Sequence, residues 1–182
     1  MDESISILIQ LMSEKNPTLL THSLNVAMLS SLMAEKLEYD CHYFYTAGLL
    51  HDVGKILLPN SLLDKSIQLT SEELQIIKNH TYYGSMILTT LNLKEYAHIA
   101  LNHHNDTQSQ AINVQIISIA DKFEAMTSFA RYYKKPKTKE QALEELYTLN
   151  IYEQKLLYAL EKTIFDKKQQ RACENVKARA EG

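Results

Sequence analysis

The stretch His51-Asp52-Val53-Gly54-Lys55 sets an imidazole beside a carboxylate, then a glycine, then a cation. Neutral imidazole and carboxylate are ligands for borderline and hard divalent metals. A lysine one turn further on can meet a phosphate. His22, His80, the adjacent pair His103-His104 and Asp121 stand where they could complete such a site. A single histidine on an apolar stripe is usually a satisfied core residue. A His-Asp pair and a His-His pair, with further inward His and Asp on other segments, is harder to explain that way. Burying so many titratable groups is costly unless something pairs with them, and a divalent metal is the economical partner. The set is too large for one tetrahedral ion. It suits two ions bridged by a carboxylate, and Asp52 is best placed to bridge. Two ions roughly 3.5–4 Å apart hold a hydroxide between them and polarise a phosphoryl oxygen. Mixed His and carboxylate ligation without cysteine fits iron, manganese or zinc.

These side chains need helices to hold them. The chain has 182 residues but only four glycines and three prolines. Its long segments rich in Leu, Glu, Lys, Gln and Ala read as helices. We expect one all-α domain over residues 1–182, with its core at about 18–150 and a C-terminal helix and charged tail at 151–182. Ser4 to about Lys15 is amphipathic, with Ile5, Leu8, Ile9 and Met12 on one face. After a break at Asn16-Pro17-Thr18, Leu19–Leu37 forms a longer helix with His22 on its buried stripe. His42–Leu50 is a third, and His51-Asp52 falls at its C-terminal end. Ile56-Leu57-Leu58-Pro59 reads as an apolar connector. Ser71-Glu72-Glu73 starts a helix that runs to about His80. Tyr82–Leu91 and Leu93–His104 follow, then a polar loop to Ala111. Ile112–Ser128 is rich in β-branched residues. Its length and the spacing Val114, Ile117, Asp121, Ala125 favour a buried helix with the aspartate inward. Glu140–Leu149 and Ile151–Ile164 complete the set.

Composition narrows the function. Net charge is −3, with both signs interspersed, so an extended nucleic-acid surface is not expected. Cys41 and Cys173 show no paired spacing and read as reduced thiols. The N-terminus carries acidic residues before a short apolar run, unlike a signal peptide, and no apolar stretch is long enough to span a membrane. A cytoplasmic protein is the expectation.

The chain resembles the HD superfamily of metal-dependent phosphohydrolases, and within it the HD-GYP cyclic di-GMP phosphodiesterases. The matching residues are His22-Ser23-Leu24-Asn25-Val26-Ala27, then Leu49-Leu50-His51-Asp52-Val53-Gly54-Lys55-Ile56 and Pro59. They continue with Leu69-Thr70-Ser71-Glu72-Glu73, His80-Thr81-Tyr82-Tyr83-Gly84, His103-His104 and Ala120-Asp121-Lys122-Phe123-Glu124-Ala125-Met126-Thr127. Arg131-Tyr132-Tyr133-Lys134 and Glu140-Gln141-Ala142-Leu143 match as well.

The resemblance implies an HD-domain helical bundle of five core helices plus flanking helices. It implies that His22, His51, Asp52, His80, His103, His104 and Asp121 are metal ligands, with Asp52 bridging two divalent ions, iron or manganese favoured over zinc. Lys55 would contact the scissile phosphate, and Arg131 and Lys134 would hold substrate phosphates. A metal-bridging hydroxide would open a cyclic dinucleotide, most simply cyclic di-GMP, a small nucleotide substrate. Three departures stand out. His104 is followed by Asn105-Asp106-Thr107-Gln108-Ser109-Gln110, without the family's glutamate and its Gly-Tyr-Pro loop. Thr18 stands where some members place a glutamate for a third metal. Arg131 lies one residue further from Asp121 than usual. Two alternatives stay beside the first reading: an HD hydrolase of another nucleotide or a phosphomonoester, and a metal-binding interaction module with weak turnover. A homodimer and a separate regulatory protein stay open as partners.

Overall fold

The computed structural model describes residues 3–65, 67–107, 110–128 and 135–166. Among them the ordered elements are helices. Helix α1 spans Glu3–Lys15. Asn16 then caps the next helix, its side chain accepting from the Leu19 amide, and Pro17 occupies the first turn, where a missing N–H costs nothing. The Asn16-Pro17 break is therefore the start of α2, Pro17–Lys36. Helix α3, Cys41–Leu50, is capped by Asp40, which accepts from the amides of His42 and Tyr43.

The segment after Asp52 departs from a plain connector. Val53–Leu57 winds into a 3-10 turn, and Asn60–Leu63 forms the short α4. Helix α5, Ser71–Lys78, begins at a capping box in which Thr70 and Glu73 bond reciprocally. Asn79 separates it from α6, His80–Thr90, so His80 heads a helix rather than ending one. Helix α7 is Lys94–Asn102 and α8 is Ile112–Thr127. Thr138 and Gln141 form a second capping box at the start of α9, Lys139–Thr148. Helix α10 is Gln154–Ile164, three residues shorter at its start than expected, since Glu153 is its cap.

Glycine is scarce, so other residues stop several helices. Glu38, Asn92 and Asn150 take positive φ of 60°, 60° and 51°. At two of these stops the next amide bonds back across the end: Tyr39 N to Ala34 O, and Leu93 N to Leu88 O.

Two apolar clusters organise the bundle. One gathers α2, α3, α7, α8, α9 and α10 around Val26, Met33, Ile99, Ile116, Ile117 and Leu160. The other joins α1 to Leu50, Val53, Leu88, Ala97 and Ala100. Helices α3 and α7 contribute to both, and their C-terminal ends carry His51 and His103. Helices α2 and α3 cross closely: a Cβ on Gly48 would stand 2.7 Å from the Ala27 Cα. The five helices α2, α3, α6, α7 and α8 position all seven expected ligands. Asp121 points inward from α8 and is buried, as its spacing predicts.

Candidate functional site

Three of the five site histidines share one local device. His51 follows α3, His103 follows α7, and His80 follows the end of α5. In each, Nδ1 donates to the carbonyl three residues back: Gly48 at 2.6 Å, Ile77 at 2.6 Å and Ala100 at 2.9 Å. A helix end leaves carbonyls without intrahelical partners, and each histidine satisfies one. The bond also fixes the tautomer, leaving a lone pair on each Nε2. His22 sits inside α2 and has no such carbonyl. Its Nδ1 donates to the Glu124 carboxylate on α8, and Asn25 holds the other oxygen of Glu124 at 3.0 Å.

The HD turn brings the groups together. A Cβ on Gly54 would lie 2.0 Å from the His80 carbonyl oxygen, so only glycine lets the turn seat against the start of α6. Asp52 is fully buried and points its two oxygens at different partners. Oδ1 faces His80 Nε2 at 3.1 Å and His103 Nε2 at 3.7 Å. Oδ2 faces His51 Nε2 at 3.5 Å and His22 Nε2 at 3.6 Å, and it pairs with Lys55. Asp121 Oδ1 lies 3.1 Å from His22 Nε2 and 3.8 Å from His51 Nε2, while its Oδ2 lies 3.6 Å from His104 Nδ1. The donor atoms fall into two groups, His22, His51 and Asp121 in one and Asp52, His80, His103 and His104 in the other.

The electrostatics call for a cation. Burial alone would raise the Asp52 and Asp121 carboxyls. The Lys55 charge beside Asp52, and the His22 contact beside Asp121, hold both well below the usual range. Burial would also lower His22. Its bonds to Asp121 and Glu124 win instead and raise it to about 9. Burial keeps His103 below its ordinary value. His80 Nε2 and His103 Nε2 face each other at 3.4 Å. His51 Nε2 and Asp52 Oδ1 are buried without a hydrogen-bond partner. An unpaired buried polar group costs about 1–3 kcal/mol. Oxygen and nitrogen lone pairs converging in this way fit a divalent metal.

Glu124 is the site residue that sequence reasoning missed. It lies one helical turn after Asp121 on the same inner face of α8 and is buried, a signal that i, i+3 spacing could have given. Lys55, at the rim, keeps a partly exposed side chain. Arg131 and Lys134 lie outside the described residues. Of the neighbouring cations, Lys137 pairs with Glu145 and Lys139 donates to the Ile164 carbonyl at 3.2 Å, so both brace α9. His42 and His98 lie exposed and belong to neither donor group.

The short loop after His104 is tied down. Lys122 donates to Asp106 at 2.7 Å and Gln110 to the Asn105 carbonyl at 3.0 Å. Gln115 donates to the Gln110 carbonyl at 2.8 Å and accepts from the Glu153 amide at 2.9 Å.

An all-α bundle that gathers five histidines and two buried aspartates, from helix ends and from the interiors of α2 and α8, defines an HD-type domain. Residues 19–126 match the HD domain family, and the chain belongs to it. It is 36% identical over 168 residues to a cyclic di-GMP phosphodiesterase of Thermotoga maritima, covering 80% of this chain and 45% of that protein. It is 37% identical over 123 residues to a 3'3'-cGAMP-specific phosphodiesterase 2 of Vibrio cholerae, covering 60% of this chain and 23% of that protein. The chain thus spans less than half the length of these curated relatives. The phosphodiesterase PgpH HD domain of L. monocytogenes shares the fold, with a TM-score of 0.72 at 20% identity over 90% of this chain and 98% of that one. A crystal structure of that domain in complex with cyclic-di-AMP gives a TM-score of 0.71 at 22% identity over 87% of this chain and 93% of that one. Among the described residues no helix is long and apolar enough to cross a membrane.

Proposed function

We propose that this chain is a two-metal phosphodiesterase that opens a cyclic dinucleotide, with cyclic di-GMP the first candidate. The observation that carries this reading is the Asp52 carboxylate. One oxygen faces His80 and His103, the other faces His22 and His51. In this reading His22, His51, Asp121 and Asp52 hold one ion, and Asp52, His80, His103 and His104 hold the other. Iron or manganese suits these nitrogen and oxygen donors, and zinc is a further option. Bound divalent ions supply Lewis acidity, lowering the pKa of water and polarising a phosphoryl oxygen.

The chain's own groups do the rest. The helix-end carbonyls hold His51, His80 and His103, and Glu124 holds His22, in the ligating tautomer. Lys55 beside Asp52 and His22 beside Asp121 hold both carboxyls well below the usual range, which favours the ionised, ligating form. Lys55, partly exposed beside Asp52, is placed to meet a phosphate oxygen and to neutralise charge gathering on it. Arg131 and Lys134 are proposed to grip the remaining phosphate. The names of the relatives, cyclic di-GMP and 3'3'-cGAMP phosphodiesterases, support a cyclic dinucleotide as substrate class.

A second reading, hydrolysis of another nucleotide or of a monoester, is favoured by the short loop after His104. A panel separates the two. Manganese-loaded protein is offered cyclic di-GMP, 3'3'-cGAMP, cyclic di-AMP, a mononucleotide and an aryl phosphodiester. Linear dinucleotide that disappears in Asp52→Ala supports the first reading. Turnover of monoesters alone sinks it.

A further inference from the structure

The two donor groups are braced unequally. In the group of His22, His51 and Asp121, every imidazole has an outer partner. His51 donates to the Gly48 carbonyl, and His22 donates to the Glu124 carboxylate, itself fastened by Asn25. Glu124 is the carboxylate, among the described residues, that backs a site histidine from behind. In the other group, His80 and His103 have carbonyl partners. His104 has no hydrogen bond from either ring nitrogen to a described residue. Its side chain is 41% exposed, and it meets its neighbours through ring contacts with His80 and His103 and a 3.6 Å approach of Nδ1 to Asp121 Oδ2.

Charge is unequal as well. The first group brings Asp121 and a share of Asp52, with Glu124 behind. The second holds the other oxygen of Asp52, with Asp121 Oδ2 reaching only His104, at 3.6 Å, and no carboxylate behind its imidazoles among the described residues. Lys55 pairs with Asp52 Oδ2 on the first side and offsets part of the difference. Carboxylate charge attracts a dication, and a carboxylate behind an imidazole raises its basicity and holds its orientation.

We propose that Glu124 is a positioning residue that makes the His22, His51 and Asp121 group the tighter of two metal sites, so that the ions load in order. The ion beside His104 enters second and leaves first. The inference rests on the two-metal reading above. It goes further in assigning an order to the sites and a role to a residue that is not itself a ligand.

The test is a titration of the metal-free full chain with Mn²⁺ alone, followed by calorimetry and by electron paramagnetic resonance. The expected wild-type result is two steps. The first equivalent gives an isolated six-line manganese spectrum, and the second converts it to a spin-coupled signal. Glu124→Gln is expected to weaken the first step by about 10- to 100-fold, the usual cost of losing an outer partner of a ligand. His104→Ala is expected to weaken the second step and leave the first unchanged. Asn25→Ala keeps Glu124 but frees one oxygen. It is expected to weaken the same first step by a smaller factor, and it serves if Glu124→Gln fails to fold by circular dichroism. Two ions entering in one step with a coupled spectrum from the first equivalent would overturn the order. So would equal weakening of both steps in Glu124→Gln, or an unchanged first step in both Glu124→Gln and Asn25→Ala. Binding of fewer than two ions by the wild type would overturn the two-metal reading itself, a different result from loss of order.

Discussion

Gly54 and His80 meet backbone to backbone, close enough that a Cβ on Gly54 would stand 2.0 Å from the His80 carbonyl oxygen and 2.4 Å from the Gly84 nitrogen. The turn that carries Asp52 and the helix that carries His80 are therefore seated on each other, and the Asp52–His80 approach of 3.1 Å depends on it. Neither the His80 carbonyl oxygen nor the Gly84 nitrogen can swing aside as a side chain could. Gly54→Ala is expected to destabilise the fold by about 1–3 kcal/mol, the range for overpacking, and to lower bound metal. Urea denaturation with metal analysis checks this. An unchanged midpoint with full metal content would show that the two segments are not locked together.

The proton on His22 sets a pH dependence. In the metal-free protein its folded pKa, about 9, lies above the ordinary 6.5. Its pairing with Asp121 and Glu124 therefore stabilises the metal-free fold fully below pH 6.5, and that contribution is lost as pH rises through 9. Metal binding runs the other way, because the ion must displace this proton. Affinity is expected to climb roughly tenfold per pH unit on approaching pH 9 from below. Calorimetric titrations in buffers of different ionisation enthalpy would count the proton. Affinity that stays flat between pH 7 and 9 would contradict the assignment.

Lys55 is expected to act on substrate rather than on fold. Lys55→Met removes the cation that pairs with Asp52 while keeping the aliphatic stem. Turnover should fall by about 10²- to 10³-fold, the scale for losing one charge-stabilising group, with metal stoichiometry retained. Turnover within a few-fold of the wild type would return Lys55 to the role of a structural ion-pair partner.

Gln115 is buried and links the short loop after His104 to the start of α10, donating to Gln110 and accepting from Glu153. Gln115→Ala strands both backbone groups, and stability should drop by about 1–3 kcal/mol. Chemical denaturation measures it. A loss within error would mean that water replaces both bonds at no cost.

That these seven side chains would be brought together was legible because their residue types are rare inside a protein and four of them stand in adjacent pairs at the ends of apolar segments. Their grouping was not, since it follows from how five helices cross. Glu124 escaped notice because its partner His22 lies 102 residues away in the chain, and a glutamate in a long helix reads as a solvated residue. The interior of α8 was legible through Asp121 and its apolar neighbours. Several ends were not. Glu38, Asn92 and Asn150 stop helices at positive φ, a task usually read from glycine. Ile56-Leu57-Leu58-Pro59 reads as a connector, yet its first two residues belong to the turn at Val53–Leu57; the crowding that demands Gly54 in that turn comes from His80 and Gly84, which the sequence does not place beside it.

If Asp52 joins two donor groups into one phosphodiesterase centre, turnover depends on that carboxylate. The most direct measurement is product analysis after incubating the manganese-loaded protein with cyclic di-GMP, beside Asp52→Ala prepared identically. The wild type is expected to yield linear dinucleotide or mononucleotide, and the variant none. A folded, fully loaded wild type that leaves cyclic di-GMP, 3'3'-cGAMP and cyclic di-AMP all intact would contradict it, as would cleavage undiminished in Asp52→Ala.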